Sequence, residues 1–212
     1  MLPAEKLWLF VLASTLLALT PGPNWLYLTS RTLCQGRRAG LVSLVGTTTG
    51  VATHMVAAAF GLTALLLAVP MAFEVMRFAG AVYLLWLAMS TLAGGGFSFA
   101  PRELPEERDD VLFRQGVLSG ILNPKVALFY LALFPQFLDP AAGALLAQSL
   151  LLGCIQLGVA IMIDGGLVLA VGWVAARVAR HPRWLATQRY LLGGAFGVLA
   201  AWLLVDPRRG GS

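Results

Sequence analysis

Charged residues are scarce in this sequence. They make up 12% of its 212 residues, whereas hydrophobic residues make up 58% and the mean hydropathy is +0.80. A soluble domain of this length does not keep charge so rare over such long apolar runs. The composition therefore excludes a soluble globular protein and predicts an integral membrane protein that has the lipid bilayer as its surroundings.

Cysteine is almost absent, and the residues that build metal sites or catalytic groups are thinly spread. Both cysteines, Cys34 and Cys154, lie in or beside apolar runs, so we expect small buried thiols and no disulfide framework. The apolar runs contain no cluster of carboxylate, His or Cys at ligand spacing, and the sequence has no H-E-x-x-H motif and no nucleophile paired with a base. We therefore expect no enzyme activity, no metal and no cofactor.

The formal net charge is +5, yet the basic residues do not indicate a nucleic-acid partner. They lie at the ends of apolar runs, as membrane topology requires. Lys6, Arg77, Arg208 and Arg209 are on one side of the predicted membrane. The loops on the other side hold most of the arginines: Arg31, Arg37, Arg38, Arg102, Arg108, Arg114, Arg177, Arg180, Arg183 and Arg189. The positive-inside rule then predicts a multi-pass membrane protein with both termini outside the cytoplasm.

Six apolar runs are long enough to span a bilayer, since a helical span needs about 20 residues. They cover residues 7–33, 39–69, 72–92, 113–138, 141–176 and 190–205. A polar loop at 94–112 divides the single transmembrane domain, 1–212, into repeats at 7–93 and 113–205. We predict an all-α membrane protein with six transmembrane helices in two three-helix repeats, which are inverted because each repeat has an odd number of spans.

The first span is interrupted by Thr20-Pro21-Gly22-Pro23-Asn24. Proline lacks an N–H and its ring collides with the preceding turn, so the helix cannot continue here. Inside lipid each freed backbone group needs a partner in the protein, and discontinuous helices of this kind build transporter substrate sites. A simple packing kink is the alternative interpretation.

The fourth span carries a matching interruption at Asn123-Pro124-Lys125. Pro23 and Pro124 suit the first turn of a helix, and Asn123 is a good N-cap. Each break should therefore start a half-helix whose positive end attracts a carboxylate. Asn24 and Asn123 could hydrogen-bond a zwitterion, and Lys125 adds a cation unless it snorkels to an interface. The predicted substrate site comprises Thr20, Pro21, Gly22, Pro23, Asn24, Asn123, Pro124 and Lys125.

Other residues in the spans have candidate roles. Asp164 is the only carboxylate deep in an apolar run, and it could carry a proton, bind a substrate ammonium or pair with Lys125. His54 could relay protons, although a satisfied buried histidine is commoner. Gln136 and Gln156 could join helices rather than contact substrate. Gly36, Gly40, Gly46 and Gly50 predict a face for close helix packing, and dimerisation through such faces would give a homodimer.

The two breaks and their surroundings resemble the LysE/RhtB family of amino-acid exporters over about residues 1–205. The motifs that carry the resemblance are Thr20–Asn24, Gly36-Arg37-Arg38-Ala39-Gly40, Gly46-x-x-x-Gly50, Phe78–Leu87, Gly120–Phe129 and Phe134-Pro135-Gln136-Phe137. The resemblance implies an inner-membrane exporter of amino acids or close derivatives, driven by the proton gradient. Many members carry an acidic residue where this chain has Val51, so no coupling role is carried over to that position.

Competing function classes differ in the residues that they require. An ion or metal exporter, or a channel of a related fold, would need several oxygen, imidazole or thiolate ligands together in the spans. An assembly factor would not need paired breaks. Export of an amino acid with a zwitterionic backbone fits the asparagines, Lys125 and the broken backbones best.

Overall fold

The computed structural model describes residues 2–62 and 106–178, together with isolated helical positions between 75 and 89 and between 190 and 201. Within these stretches every regular element is a helix and none is a strand, in agreement with the predicted all-α class. The predicted third and sixth spans, the end of the second span and most of the polar loop lie largely outside the described residues.

The first helical stretch is broken where the sequence predicts it. Helix α1 covers Ala4–Leu19, and its last residue is followed by Thr20 in an extended conformation. Helix α2 covers Pro23–Ala57 and continues as a π-helix over Ala58–Leu62. The residues between α1 and α2, 20–22, are called the first break below.

Helix α2 turns back on itself at Gly36. This residue has φ 85° and ψ 179°, a conformation that is essentially confined to glycine. The Ser43 hydroxyl lies 3.3 Å from the Tyr27 hydroxyl, although the two residues are 16 positions apart. In a straight helix that spacing would separate their backbones by about 24 Å. Residues 23–35 and 37–57 are therefore two antiparallel arms, as two separate predicted spans require.

The second helical stretch is also broken. Helix α3 covers Asp109–Ile121, and helix α4 covers Pro124–Leu128. A π-helix over Phe129–Leu133 and a 3-10 helix over Phe134–Phe137 complete it. The residues between α3 and α4, Leu122 and Asn123, are called the second break below. Because α3 begins at Asp109, the predicted polar loop 94–112 is too long by four residues, which are already helical.

A short 3-10 helix, Pro140–Ala142, leads to helix α5, Leu145–Val178. Among the residues that the structure describes, two helices, Pro23–Gly61 and Leu145–Val171, are long and apolar enough to cross a membrane. The pair Asp109–Ile121 and Pro124–Phe137, which is bent by 41°, makes a third if it is one span. The reversal at Gly36 places the first of these helices in two arms rather than in one straight crossing.

The two broken stretches run in opposite directions. We call residues 4–35 the first bent helix and residues 109–137 the second bent helix. Lys6, near the start of the first, lies 3.5 Å from the Asp139 carboxylate just after the second. At the other end, the Gln35 side chain donates a hydrogen bond of 2.9 Å to the Glu107 carbonyl just before the second begins. We refer to these as the Asp139 end and the Gly36 end of the bundle.

The glycines of the second arm of α2 allow a close approach to α3. A Cβ atom added at Gly46 or Gly50 would collide with backbone atoms near Gly116 and Gly120, and the reverse is also true. A Cβ at Gly40 would collide with Thr32. The predicted packing face is therefore confirmed for Gly40, Gly46 and Gly50, where it is used within the chain, but not for Gly36, where an added Cβ would meet nothing. The partners of these three glycines are helices of the same chain, and the homodimer stays a prediction.

An aromatic cluster holds α1 against the second bent helix. The Phe10 ring makes edge contacts with Phe134 and Phe137, at centroid distances of 5.8 and 5.1 Å, and a tilted contact with Phe129. Each of these four side chains is almost completely buried. They bury a large apolar area on the Asp139 side of the breaks, so the middle of α1 is packed against the second bent helix.

Two predictions about side chains are wrong. Arg31 was expected in a loop, but it lies within α2 with 4% of its surface exposed, and its guanidinium donates to Gln115 Oε1 at 2.7 Å. The backbone continues as helix up to Gly36, so the loop begins later than the apolar run suggests. Cys154 was expected to be buried but is exposed on α5, and Cys34 is half-buried; neither forms a disulfide.

Candidate functional site

At the first break, the end of helix α1 and the start of helix α2 are separated by only three residues. Thr20 closes α1: its amide donates to Leu16 O at 3.0 Å and its hydroxyl to the same carbonyl at 2.7 Å. Gly22 is the extended residue before α2, and its carbonyl accepts the first bond of that helix, from Leu26 N at 3.1 Å. Pro23 occupies the first turn, where its missing N–H costs nothing. That predicted position of Pro23 is confirmed.

The second break has the predicted cap. Asn123 Oδ1 accepts a hydrogen bond of 3.1 Å from the Lys125 amide, and Pro124 stands in the first turn of α4. Asn123 is only 1% exposed. Its Nδ2 atom is buried without a hydrogen-bond partner, which is costly for an amide. The Asn123 side chain therefore caps α4 with its oxygen, while its NH₂ group has no hydrogen-bond partner.

Lys125 connects the two breaks. Its Nζ atom donates to Leu17 O at 2.8 Å and to Thr20 O at 2.5 Å, both at the carboxyl end of α1. The ammonium group thus binds two carbonyls at the end of the helix, one of which, Leu17 O, also accepts the Thr20 amide at 3.3 Å, and the helix dipole favours a cation there. The alternative that Lys125 snorkels to a membrane interface is wrong, because its charged group points into the bundle.

Asn24 provides a second connection between the bent helices. Its Oδ1 atom accepts a hydrogen bond of 3.1 Å from the Ser119 hydroxyl on α3. Asn24 is 7% exposed and Ser119 is half-buried, so this contact is partly buried. Sequence reasoning missed Ser119, although it stands four residues before Asn123 and hence one helical turn from the second break.

Asp164 on α5 faces the same region. Its Oδ1 atom accepts a hydrogen bond of 2.9 Å from the Trp25 indole, which belongs to the first turns of α2. Asp164 is 9% exposed, and its charge interacts with that of Lys125. Three elements, α2, α4 and α5, thus bring one acid, one cation and one indole together. Trp25 was missed by the sequence analysis, although it directly follows Asn24.

His54 lies beside the second break rather than at the first. Its Nε2 atom is 2.9 Å from Ile121 O, a carbonyl in the last turn of α3, and its ring stacks on Tyr130 at a centroid distance of 6.3 Å. A carbonyl oxygen can only accept, so Nε2 carries the proton. His54 thus has a backbone partner, but it is only half-buried and the contact is exposed, so neither the satisfied buried histidine nor the relay role is tested.

The two glutamines differ in what they join. Gln156 on α5 accepts a hydrogen bond of 2.8 Å from the Tyr130 hydroxyl, so it does connect two helices. Gln136 instead donates to Ala132 O within its own stretch, at 3.3 Å. Among the residues that the structure describes, no three His, Cys, Asp or Glu side chains gather as a metal site would require.

Comparison with known proteins gives a consistent result. The family profile described as LysE type translocator matches residues 15–207. The chain is 30% identical to the homoserine/homoserine lactone efflux protein of Salmonella typhimurium, with 92% of this chain and 93% of that protein aligned. It is 31% identical to an uncharacterized membrane protein of Vibrio cholerae over 89% of this chain and 92% of that protein. It is also 31% identical to the leucine efflux protein of an Enterobacter strain over 64% of each. No solved structure matches significantly.

Proposed function

Because this chain belongs to the LysE type translocator family, we propose that it exports amino acids or close derivatives through the region where its two broken helices meet. The relatives with a named substrate export homoserine, its lactone or leucine. None of these carries a charged side chain. We therefore propose small, uncharged amino acids as the substrate class, which narrows the range left open by the sequence alone.

The observation that carries this proposal is the contact of Lys125 with the first break. Leu17 O and Thr20 O accept its ammonium group, and Asn24 is bonded to Ser119 close to the second break. Backbone breaks, polar side chains and opposite helix ends are thus concentrated in one buried region. This supports the substrate site predicted from Thr20, Pro21, Gly22, Pro23, Asn24, Asn123, Pro124 and Lys125.

The antiparallel course of the two bent helices supports a larger proposal, that of two inverted repeats of three spans each at 7–93 and 113–205. Each bent helix would be the first span of its repeat. In transporters of this design the substrate lies near the bilayer midplane between the repeats, and rocking of one repeat against the other exposes it to each side in turn.

We further propose that the transporter lies in the bacterial inner membrane with the Gly36 end in the cytoplasm. Arg37, Arg38, Arg108 and Arg114 belong to that end, whereas the Asp139 end has Lys6. Both termini would then lie outside the cytoplasm.

Coupling to the proton gradient is proposed for Asp164, with His54 as the weaker candidate. Asp164 is buried, lies on a different helix from both breaks and interacts with the charge of Lys125. A carboxylate placed in this way can exchange a proton as the cation beside it moves.

The function is tested by overproducing the protein in cells challenged with inhibitory concentrations of homoserine, leucine and toxic analogues of both. We expect growth resistance and faster efflux of at least one compound with the intact chain. Asn24→Ala should abolish the resistance while the protein still inserts. Gln136→Ala, which removes only a bond within one helix, serves as the matched control. Unchanged efflux in Asn24→Ala, for every compound that the intact chain exports, would contradict the site.

A further inference from the structure

The carboxyl end of α1 forms a seat for a primary ammonium group. The last carbonyls of a helix have no intrahelical partner, and they carry the negative end of the helix dipole. Helix α1 has no basic residue in its own last turn. Leu17 O and Thr20 O instead both accept hydrogen bonds from one nitrogen, Lys125 Nζ, at 2.8 and 2.5 Å. These two oxygens therefore converge on a point where an R–NH₃⁺ group fits.

The ammonium group that fills this seat is tethered to the other bent helix. Lys125 belongs to α4, it is half-buried, and its side chain is a flexible four-carbon stem. Gly22 borders the seat without a side chain: a Cβ atom there would be 3.4 Å from both Cε and Nζ of Lys125. The boundary on that side is therefore backbone.

An amino acid offers the same chemical group as Lys125. Its α-ammonium can donate to two carbonyls in the geometry that Nζ has here. Its carboxylate would lie toward the start of α2, only a few residues away, where the helix dipole is positive.

We propose that Leu17 O and Thr20 O bind the primary ammonium group of the substrate, and that Lys125 occupies this seat when no substrate is bound. Lys125 is then a tethered competitor that the substrate displaces. The inference rests on the proposed function, and it assigns the ammonium half of the substrate site, which the positive helix ends do not explain. The proposed seat requires a ligand with N–H donors, so primary amines can bind there and quaternary ammonium ions cannot.

The test compares binding of labelled homoserine or leucine to the full-length protein in nanodiscs for wild type, Lys125→Met and the matched control Lys6→Met. If Lys125 holds the seat for about nine-tenths of the time, its removal tightens binding about tenfold. Propylammonium should compete with the amino acid in Lys125→Met, whereas propionate at the same concentration should compete less. Lys6→Met should bind as wild type does. Absence of competition by propylammonium in Lys125→Met overturns the inference.

Two further measurements keep the result interpretable. If Lys125→Met does not fold, wild type is offered the N,N,N-trimethyl derivative of its amino acid; equal binding of that derivative overturns the seat, because it has no N–H to donate. If wild type binds and exports no amino acid, the proposed function fails, and the seat is judged separately. A rise in the unfolding temperature of Lys125→Met with propylammonium, absent with tetramethylammonium, then supports it, and no rise refutes it.

Discussion

At the scale of single residues, the important finding is that Lys125 is already bound. The sequence predicted a cation in an apolar interior, but the structure shows the Lys125 ammonium hydrogen-bonded to two carbonyls at the carboxyl end of α1. Asp164 is likewise engaged, by the Trp25 indole. Polar groups buried in a membrane protein need such partners, since no water replaces them. The charged residues of the site therefore stabilise the breaks as well as offering chemistry.

Substitution of Asp164 tests its proposed part in coupling. Asp164→Asn keeps an oxygen for the Trp25 indole but cannot exchange a proton. We expect uphill export from proteoliposomes with an imposed pH gradient to stop, while downhill exchange of labelled for unlabelled substrate continues. Asp139→Asn, a change of the same kind outside the predicted spans, should keep both activities. Loss of both activities in Asp164→Asn would instead indicate a binding or structural role.

The ionisation of Asp139 should make the stability of the folded protein depend on pH. Partial burial raises the pKa of its carboxyl, but the Lys6 ammonium and the amides of Ala142 and Ala141 outweigh burial, so the pKa lies below its usual value. A lowered pKa means that the folded state favours the carboxylate. The stabilisation is present above the unfolded pKa, near 3.8, and is lost as the pH falls through the lower folded value.

Because the side chains of this pair remain partly exposed, the effect should be about 1 kcal/mol or less. It can be measured as the unfolding temperature of the purified protein between pH 6 and about pH 3. Asp139→Asn should be less stable than wild type at pH 6, and the difference should shrink toward the acid end. A difference that stays constant over this range would contradict the assignment.

At the scale of elements, glycines decide how the helices meet. Gly46 and Gly50 face Gly116 and Gly120 so closely that side chains on either helix would collide with backbone. Such contact lets α2 and α3 come together along their length, and dispersion between backbones replaces the missing side chains. The turn at Gly36 is a separate requirement, since its φ of 85° suits glycine for conformational reasons and a Cβ there would meet nothing.

Enlarging one of the packed glycines should separate the two helices. Gly50→Val places its side chain against the backbone of α3, which cannot yield, so we expect a loss of about 3 kcal/mol or failure to accumulate in the membrane. Gly158→Ala on α5 is the control, because a Cβ there has open space. The measurement is the fraction of monodisperse protein after detergent extraction and its unfolding temperature. Equal behaviour of both variants would show that α2 and α3 are not in close contact.

At the scale of the whole molecule, two bent helices run in opposite directions and cross at their breaks. Phe10 and its aromatic neighbours hold one side of the crossing, and Arg31 with Gln115 holds the other. Contacts between the two bent helices thus exist on both sides of the predicted substrate site, toward the Asp139 end and toward the Gly36 end. This is the arrangement expected of a transporter that opens to one side at a time, because one set of contacts can separate while the other remains.

The orientation of the protein across the membrane is a prediction at the scale of the whole molecule. With Cys34 and Cys154 replaced by serine, a cysteine at Ala141, near the Asp139 end, should react with a membrane-impermeant maleimide in spheroplasts. A cysteine at Arg38, whose side chain is 85% exposed at the Gly36 end, should react only after permeabilisation. The reversed pattern would place the termini in the cytoplasm and would leave the antiparallel crossing intact.

The sequence by itself determined the membrane class, the two breaks, the prolines and asparagine that shape them, and the family. The membrane class and the breaks follow from local chemistry, because proline cannot continue a helix and apolar runs cannot remain in water, whereas the family follows from the resemblance of several motifs. The tertiary structure alone decided which groups the breaks present to each other. Leu17 and Lys125 are distant in the chain, and nothing in their local sequence says that they meet. The same holds for Trp25 with Asp164 and for Ser119 with Asn24, because such pairs depend on how the helices pack and not on the order of residues within any one of them.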